Sequence, residues 1–149
     1  QLDFSLRHST PVSLIMADID NFRQVNNNYG HLAGNAVLHQ VAERMLTSIR
    51  SEDAIGRFGG EEFLAVLSNC DAKQTIRLAE RIRGRVSHPP IQTTEASVSI
   101  NLSIGVTTIL GEIGVEEAIK QADTALYRAK QLGKDRVCSY DKQPNLSRF

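Results

Sequence analysis

The amino-acid sequence predicts an α/β (α+β) fold, a mixed central β-sheet with helices packed around it. Three observations carry this prediction. The compact apolar run Val12–Ala17 reads as a strand buried on both faces. Two five-residue arms, Ala54–Phe58 and Phe63–Leu67, flank Gly59-Gly60-Glu61-Glu62 and read as a β-hairpin. Segments with helical spacing of apolar residues lie between and after them. Strands alternating with helices suggest crossovers, but a hairpin is antiparallel, so a mixed sheet is favoured over a purely parallel one.

The elements follow in order. Val12–Ala17 ends abruptly in Asp18-Ile19-Asp20, as a strand does when it delivers acids to a sheet edge. A short polar helix is expected over Asn21–Asn28, closed by Tyr29-Gly30. From Asn35, read as an N-cap, the residues Val37, Leu38, Val41, Ala42, Met45, Leu46 and Ile49 keep helical spacing. After the hairpin, Asp71 and Gln74 form a capping box for a helix with Ile76, Ala79, Ile82 and Val86 inward. His88-Pro89-Pro90 ends that helix. Ser97–Thr108 reads as one long strand or two shorter ones, and Gly111–Gly114 as a turn. Val115–Leu132 is a helix with Ala118, Ile119, Ala122, Ala125, Leu126 and Ala129 inward and Gly133 as its C′ residue. Arg136–Tyr140 is a closing strand.

The 149 residues suit one domain, expected over 11–141, with a lead-in over 1–10 and a polar tail over 142–149. Lys+Arg and Asp+Glu balance at 17 each, which argues against a bulk grip on nucleic acid or anionic lipid. No apolar stretch approaches the roughly 18 residues that span a bilayer. Cys70 and Cys138 fit no metal-ligand spacing, so a reducing, cytoplasmic setting is expected. Phosphate chemistry therefore needs a focused site.

Two acidic clusters supply one. A hairpin laid beside the first strand would bring Asp18 and Asp20 to Glu61 and Glu62. Carboxylates converging at strand ends suit Mg²⁺, which often shares its oxygen ligands with phosphates. Gly59 and Gly60 allow a close backbone approach and positive φ. Either cluster alone is better explained as a cap or an exposed turn. Together they point to metal-assisted phosphoryl or nucleotidyl transfer.

Gly59-Gly60-Glu61-Glu62-Phe63 resembles the motif that names the GGDEF family of diguanylate cyclases. The stretch from Asp18 through Phe22 and Asn26 to Gly30-His31 and Gly34 is similar to a second family block. Ala122-Asp123, Tyr127, Lys130 and Gly133-Lys134 match a third. The resemblance implies a nucleotidyl-cyclase, palm-like fold and the joining of two GTP into cyclic di-GMP across a homodimer. It implies Mg²⁺ (or Mn²⁺) held by Asp18, the Ile19 carbonyl and Glu61, with Glu61 or Glu62 as base for the ribose 3′-hydroxyl. Asn26, Asn35, His31 and Leu38 would meet the nucleotide. Lys130, Lys134, Phe22 and Arg23 would meet the phosphates beside Gly59 and Gly60.

Arg50-Ser51-Glu52-Asp53 matches the family's R-x-x-D element, which with Arg81 implies a product-inhibition site. Two departures are visible. Asn35 stands where many members carry Asp, which opens the alternative of a cyclase that also accepts adenine, and Lys134 replaces a frequent Arg. The chain is read as a catalytic domain separated from an upstream sensor, in a bacterial parent either free or membrane-anchored. The competing reading is a catalytically silent module that binds GTP or cyclic di-GMP.

Overall fold

The computed structural model describes residues 5–140, with side chains from Thr10 onward. Its elements are β1 (Ser5–Ile19), α1 (Phe22–Tyr29), α2 (His31–Leu46), β2 (Ala54–Arg57), β3 (Glu62–Ser68), α3 (Ala72–Ser87), β4 (Ile91–Gln92), β5 (Ser97–Val98), β6 (Leu102–Gly114), α4 (Val115–Gln131) and β7 (Arg136–Ser139). Five strands form one sheet in the order β2-β3-β1-β6-β7, and β4 pairs with β5 separately. β1 is antiparallel to both neighbours, and only β7 runs parallel to its partner, β6. The sheet is mixed, as the sequence predicts.

The stretch Val12–Ala17 of β1 is apolar but for Ser13, because helices cover both faces of the sheet there. Ile15, Ala17 and Ile19 pack with Val37, Val41 and Met45 of α2 and with Ala79, Ile82 and Val86 of α3. Leu14 and Met16, on the other face, pack with Ala118, Ala122 and Leu126 of α4. Gly105 sits opposite Met16 in β6. A Cβ there would stand 2.1 Å from the Leu126 backbone nitrogen and 2.3 Å from the Ala122 carbonyl oxygen. The backbone of α4 thus rests directly on the strand.

Two helix ends match their sequence signals. Asp71 Oδ1 accepts from the Gln74 N–H at 2.8 Å, and Gln74 Oε1 accepts from the Asp71 N–H at 2.9 Å, closing the capping box. At the end of α4, Gly133 N–H donates to the Lys130 carbonyl and Lys134 N–H to the Ala129 carbonyl, a Schellman motif with Gly133 at C′.

Several expectations are corrected. β1 begins at Ser5, because Ser5–His8 pairs with Gly111–Gly114. The expected turn at Gly111–Gly114 is therefore the end of β6, and much of the expected lead-in is sheet. Ser97–Thr108, by contrast, is two strands, β5 and β6, interrupted over 99–101, which is one of the two expected alternatives. Asn35 is not an N-cap: α2 starts at His31, immediately after Gly30 with φ 91°. Ile76 is 37% exposed, and Thr75 takes the inward place. Thr75 is polar yet buried because its hydroxyl donates to the Asp71 carbonyl at 2.7 Å. The remaining boundaries agree within about two residues. The polar tail expected over 142–149 lies outside the described residues. Among the described residues no helix is long and apolar enough to cross a membrane.

Gly105→Ala should force α4 off the sheet. The expected loss is about 3 kcal/mol or more, read from urea unfolding midpoints; a loss below about 1 kcal/mol would mean that α4 can shift freely.

Candidate active site at the end of the central strand

β1 carries Asp18, Ile19 and Asp20 to its C-terminal end. In register, Asp18 lies opposite Glu62 of β3 and Ser103 of β6, so all three share the α4 face. Ile19 N–H donates to the Glu61 carbonyl at 3.2 Å. The hairpin does lie beside the first strand, and the two acidic clusters meet.

The turn between β2 and β3 is held from within. Phe58 N–H and Gly59 N–H both donate to the Glu62 carbonyl, at 2.7 and 3.3 Å. The Arg57 guanidinium donates to the Gly60 carbonyl at 2.7 and 3.1 Å. Arg57 was invisible to motif reading, since nothing in its spacing distinguishes it from an exposed strand residue. Gly59 and Gly60 do not adopt positive φ, contrary to expectation. Their value lies in space: a Cβ on Gly60 would meet nothing within 4 Å, while one on Gly59 would press on Glu62 Oε1 at 3.2 Å.

Asp18 and Asp20 are both buried, and Lys130 of α4 reaches both. Lys130 Nζ lies 3.2 Å from Asp18 Oδ1 and 3.4 Å from Asp20 Oδ1. The approach to Asp18 is at ion-pair distance but out of line for a hydrogen bond, so Oδ1 is buried with no donor. Burial pushes the Asp18 carboxyl up to about 6; Lys130 opposes the rise, and Glu61 and Glu62 add to it.

Among the described residues no three His, Cys, Asp or Glu side chains stand close enough to hold a metal alone. Mg²⁺ is commonly held by one or two carboxylates, its other positions filled by water and phosphate oxygens. A buried carboxylate oxygen without a donor, beside Ile19 and Glu61, fits such an ion.

The start of α1 adjoins this cluster. Asn21 holds φ 56°, and its Oδ1 accepts from Lys134 Nζ at 2.9 Å. Lys134 is thereby placed at the helix N-terminus, where backbone N–H groups and the helix dipole favour anions. Phe22 is core, so it offers only its backbone, and Arg23 is exposed. Asn26 packs where α1 crosses α2: a Cβ on Gly34 would stand 1.9 Å from its Oδ1. His31 is exposed at the start of α2. Asn35 and Leu38 line a cavity of about 650 Å³ with Ile55, Arg57 and Phe63, between α2 and the hairpin. Asn26 and His31 lie outside that lining.

A second cluster lies at the far end of β2. Arg50 donates to both oxygens of Asp53 at 3.1 Å and to the Ser68 carbonyl. Burial raises the Asp53 carboxyl, but donors from Arg50 and the Ser68 N–H outweigh it and hold the carboxyl below its ordinary range. Arg50 and Arg81 line one cavity of about 250 Å³ with Arg77 and Gln74. Asp53 stands behind Arg50 rather than in the lining. Arg77, one helical turn before Arg81, was not singled out by the sequence.

Comparison with known proteins identifies relatives of the sequence and of the fold. The sequence profile of the GGDEF diguanylate cyclase domain matches residues 1–136. Diguanylate cyclase DosC of Escherichia coli K12 is 37% identical over 132 residues, 88% of this chain and 29% of that protein. The active GGEEF domain of a diguanylate cyclase from Vibrio cholerae superposes with TM-score 0.82 at 35% identity, covering 89% of this chain and 85% of that one. The GGDEF domain of DgcB from Caulobacter crescentus, solved with c-di-GMP, gives TM-score 0.83 at 28% identity over 88% and 78% of the two chains. The chain belongs to the GGDEF diguanylate cyclase family. It spans under a third of the length of DosC.

The folded carboxyl of Asp18 binds its proton more tightly than the ordinary value of 3.8. The stability this contributes is full below about pH 3.8 and lost as pH rises through about 6. Asp18→Asn, neutral throughout, should therefore exceed the natural protein in stability above pH 6 in EDTA, by on the order of 3 kcal/mol. The difference should vanish near pH 4 in thermal unfolding. A variant less stable at pH 7.5 would show that Asp18 is not a strained acid.

Proposed function

We propose that this GGDEF-family chain condenses two GTP molecules into cyclic di-GMP, with each protomer of a homodimer presenting one GTP. Two 3′-O–P bonds form, two α–β phosphoanhydride bonds break, and two pyrophosphates leave. One observation carries the reading: Asp18 Oδ1 is buried without a hydrogen-bond donor at the end of β1, beside an intact GGEE turn and a lysine.

Asp18, the Ile19 carbonyl and Glu61 would hold Mg²⁺ or Mn²⁺. A bound divalent ion would neutralise triphosphate charge and ease loss of the 3′-hydroxyl proton. Glu61 or Glu62 takes that proton. Lys130, Lys134 and the backbone N–H groups of Phe22 and Arg23 hold the phosphates, and the bare backbone of Gly59 and the open space over Gly60 admit them. Asn35 and Leu38 receive guanine from the cavity side, with Asn26 and His31 on the α1–α2 side. Asn35 keeps a carbonyl acceptor for guanine N–H groups but lacks the charge of an Asp.

Arg50, Asp53 and Arg81 form the product-inhibition site in this proposal. It is supported by the two guanidinium groups that share a cavity and by the Asp53 clamp on Arg50. A cytoplasmic setting belongs to the same reading, as does an upstream regulatory domain, the latter supported by the greater length of DosC.

Folded protein incubated with GTP and Mg²⁺ should release cyclic di-GMP and pyrophosphate in a 1:2 ratio, and Glu61→Gln should lower kcat by about 100-fold or more. Nucleotide binding without product at any protein concentration would move the assignment to a silent binding module. In the active protein, Arg50→Ala should raise the half-inhibiting product concentration by about tenfold; unchanged inhibition would remove Arg50 from that site.

A further inference from the structure

Asp20 stands two residues beyond Asp18 and, by spacing alone, would join it as a metal ligand. Its partners say otherwise. We propose that Asp20 is a positioning residue that holds both phosphate-site lysines, Lys130 and Lys134, in place. The proposal rests on the cyclase reading and adds a role for a residue that reading leaves without one.

The Asp20 side chain is 3% exposed, yet its oxygens are filled by protein groups. Oδ1 accepts from the Ser103 hydroxyl at 2.6 Å and lies 3.4 Å from Lys130 Nζ. Oδ2 accepts from the Asp135 N–H at 3.0 Å. These groups come from β6, from α4 and from the loop after α4. A carboxylate so occupied has little left to offer an ion, whereas Asp18 has a buried oxygen with no donor.

The loop that Asp20 grips is strained. Gly133, Lys134 and Asp135 hold φ of 124°, 66° and 48° in succession. Non-glycine residues persist in that region only where their surroundings hold them. Here the Asp135 N–H is tied to Asp20, and Asp135 Oδ1 accepts from Arg83 of α3 at 2.8 Å. With the loop held, Lys134 reaches Asn21 at the start of α1.

Lys130 depends on Asp20 in a second way. Its ammonium is shared between Asp18 and Asp20. A divalent cation on Asp18 would repel it, and the charge on Asp20 keeps it beside the incoming phosphates.

The test is calorimetric titration of the purified protein with Mg²⁺ and 3′-deoxy-GTP, which lacks the attacking hydroxyl and cannot cyclise. Asp20→Asn should weaken binding about tenfold in the natural background. In a Lys130→Ala/Lys134→Ala background the same change should weaken binding less than about threefold, because the groups it acts through are gone. A tenfold loss in both backgrounds would identify Asp20 as a metal ligand or a general fold support and overturn the proposal. Should Asp20→Asn fail to fold, Ser103→Ala removes one of its donors and should show the same background dependence at smaller amplitude; unaltered binding there overturns the proposal as well. A natural protein unable to bind 3′-deoxy-GTP overturns the cyclase reading and this assignment together. A natural protein that binds, without the background dependence, overturns the assignment alone.

Discussion

Two buried carboxylates at the end of a central strand share one lysine, and much of the molecule is arranged around that constraint. Burying an ionised acid is expensive unless it is paired. Asp18 and Asp20 both point to the α4 face, so the compensating charge has to come from α4. That requires α4 to lie close to the sheet, and Gly105 removes the side chain that would keep it away. The pairing is incomplete by design of the geometry: Asp20 is satisfied, while Asp18 keeps an oxygen without a donor and a raised pKa. One acid is left short, and under the proposed function it is the one that takes the ion.

The same end of the sheet gathers Lys130, Lys134 and the N-terminus of α1. The strained turn after α4 and the left-handed Asn21 before α1 meet through the Lys134–Asn21 hydrogen bond. Donors therefore face the place where the acids would hold an ion, so charges of both signs adjoin one another. A formal net charge of zero conceals this segregation. The second cluster follows a different rule. There Asp53 preorganises Arg50 in a forked pair, and the adjoining cavity is lined by further guanidinium groups.

Much of this was legible in the chain. The apolar run of β1, the equal arms of the hairpin and the capping box of α3 are local patterns, and each was found where it was read. The family motifs are short contiguous blocks of the chain and stood out for that reason, although each crosses an element boundary. Readings failed where a distant partner decides the outcome. Gly111–Gly114 looks like a turn until Ser5–His8 pairs with it. Asn35 looks like a cap, but Gly30 alone separates α1 from α2. Thr75 goes inward in place of Ile76 because its hydroxyl finds a backbone acceptor in the Asp71 carbonyl.

The sequence by itself determined the mixed α/β class, the hairpin, most helix ends and the family. Periodicity, capping and turn chemistry act over a few residues and need no long-range contact. Only the tertiary structure decided which of two neighbouring acids has its oxygens filled by protein donors. It also decided that Arg57 braces the GGEE turn and that Arg77 joins Arg50 and Arg81 around one cavity. The difference between the two acids depends on which donors arrive from β6, α4 and the loop after it, across separations as long as that from Asp20 to Asp135. No local pattern in the chain records such an arrival.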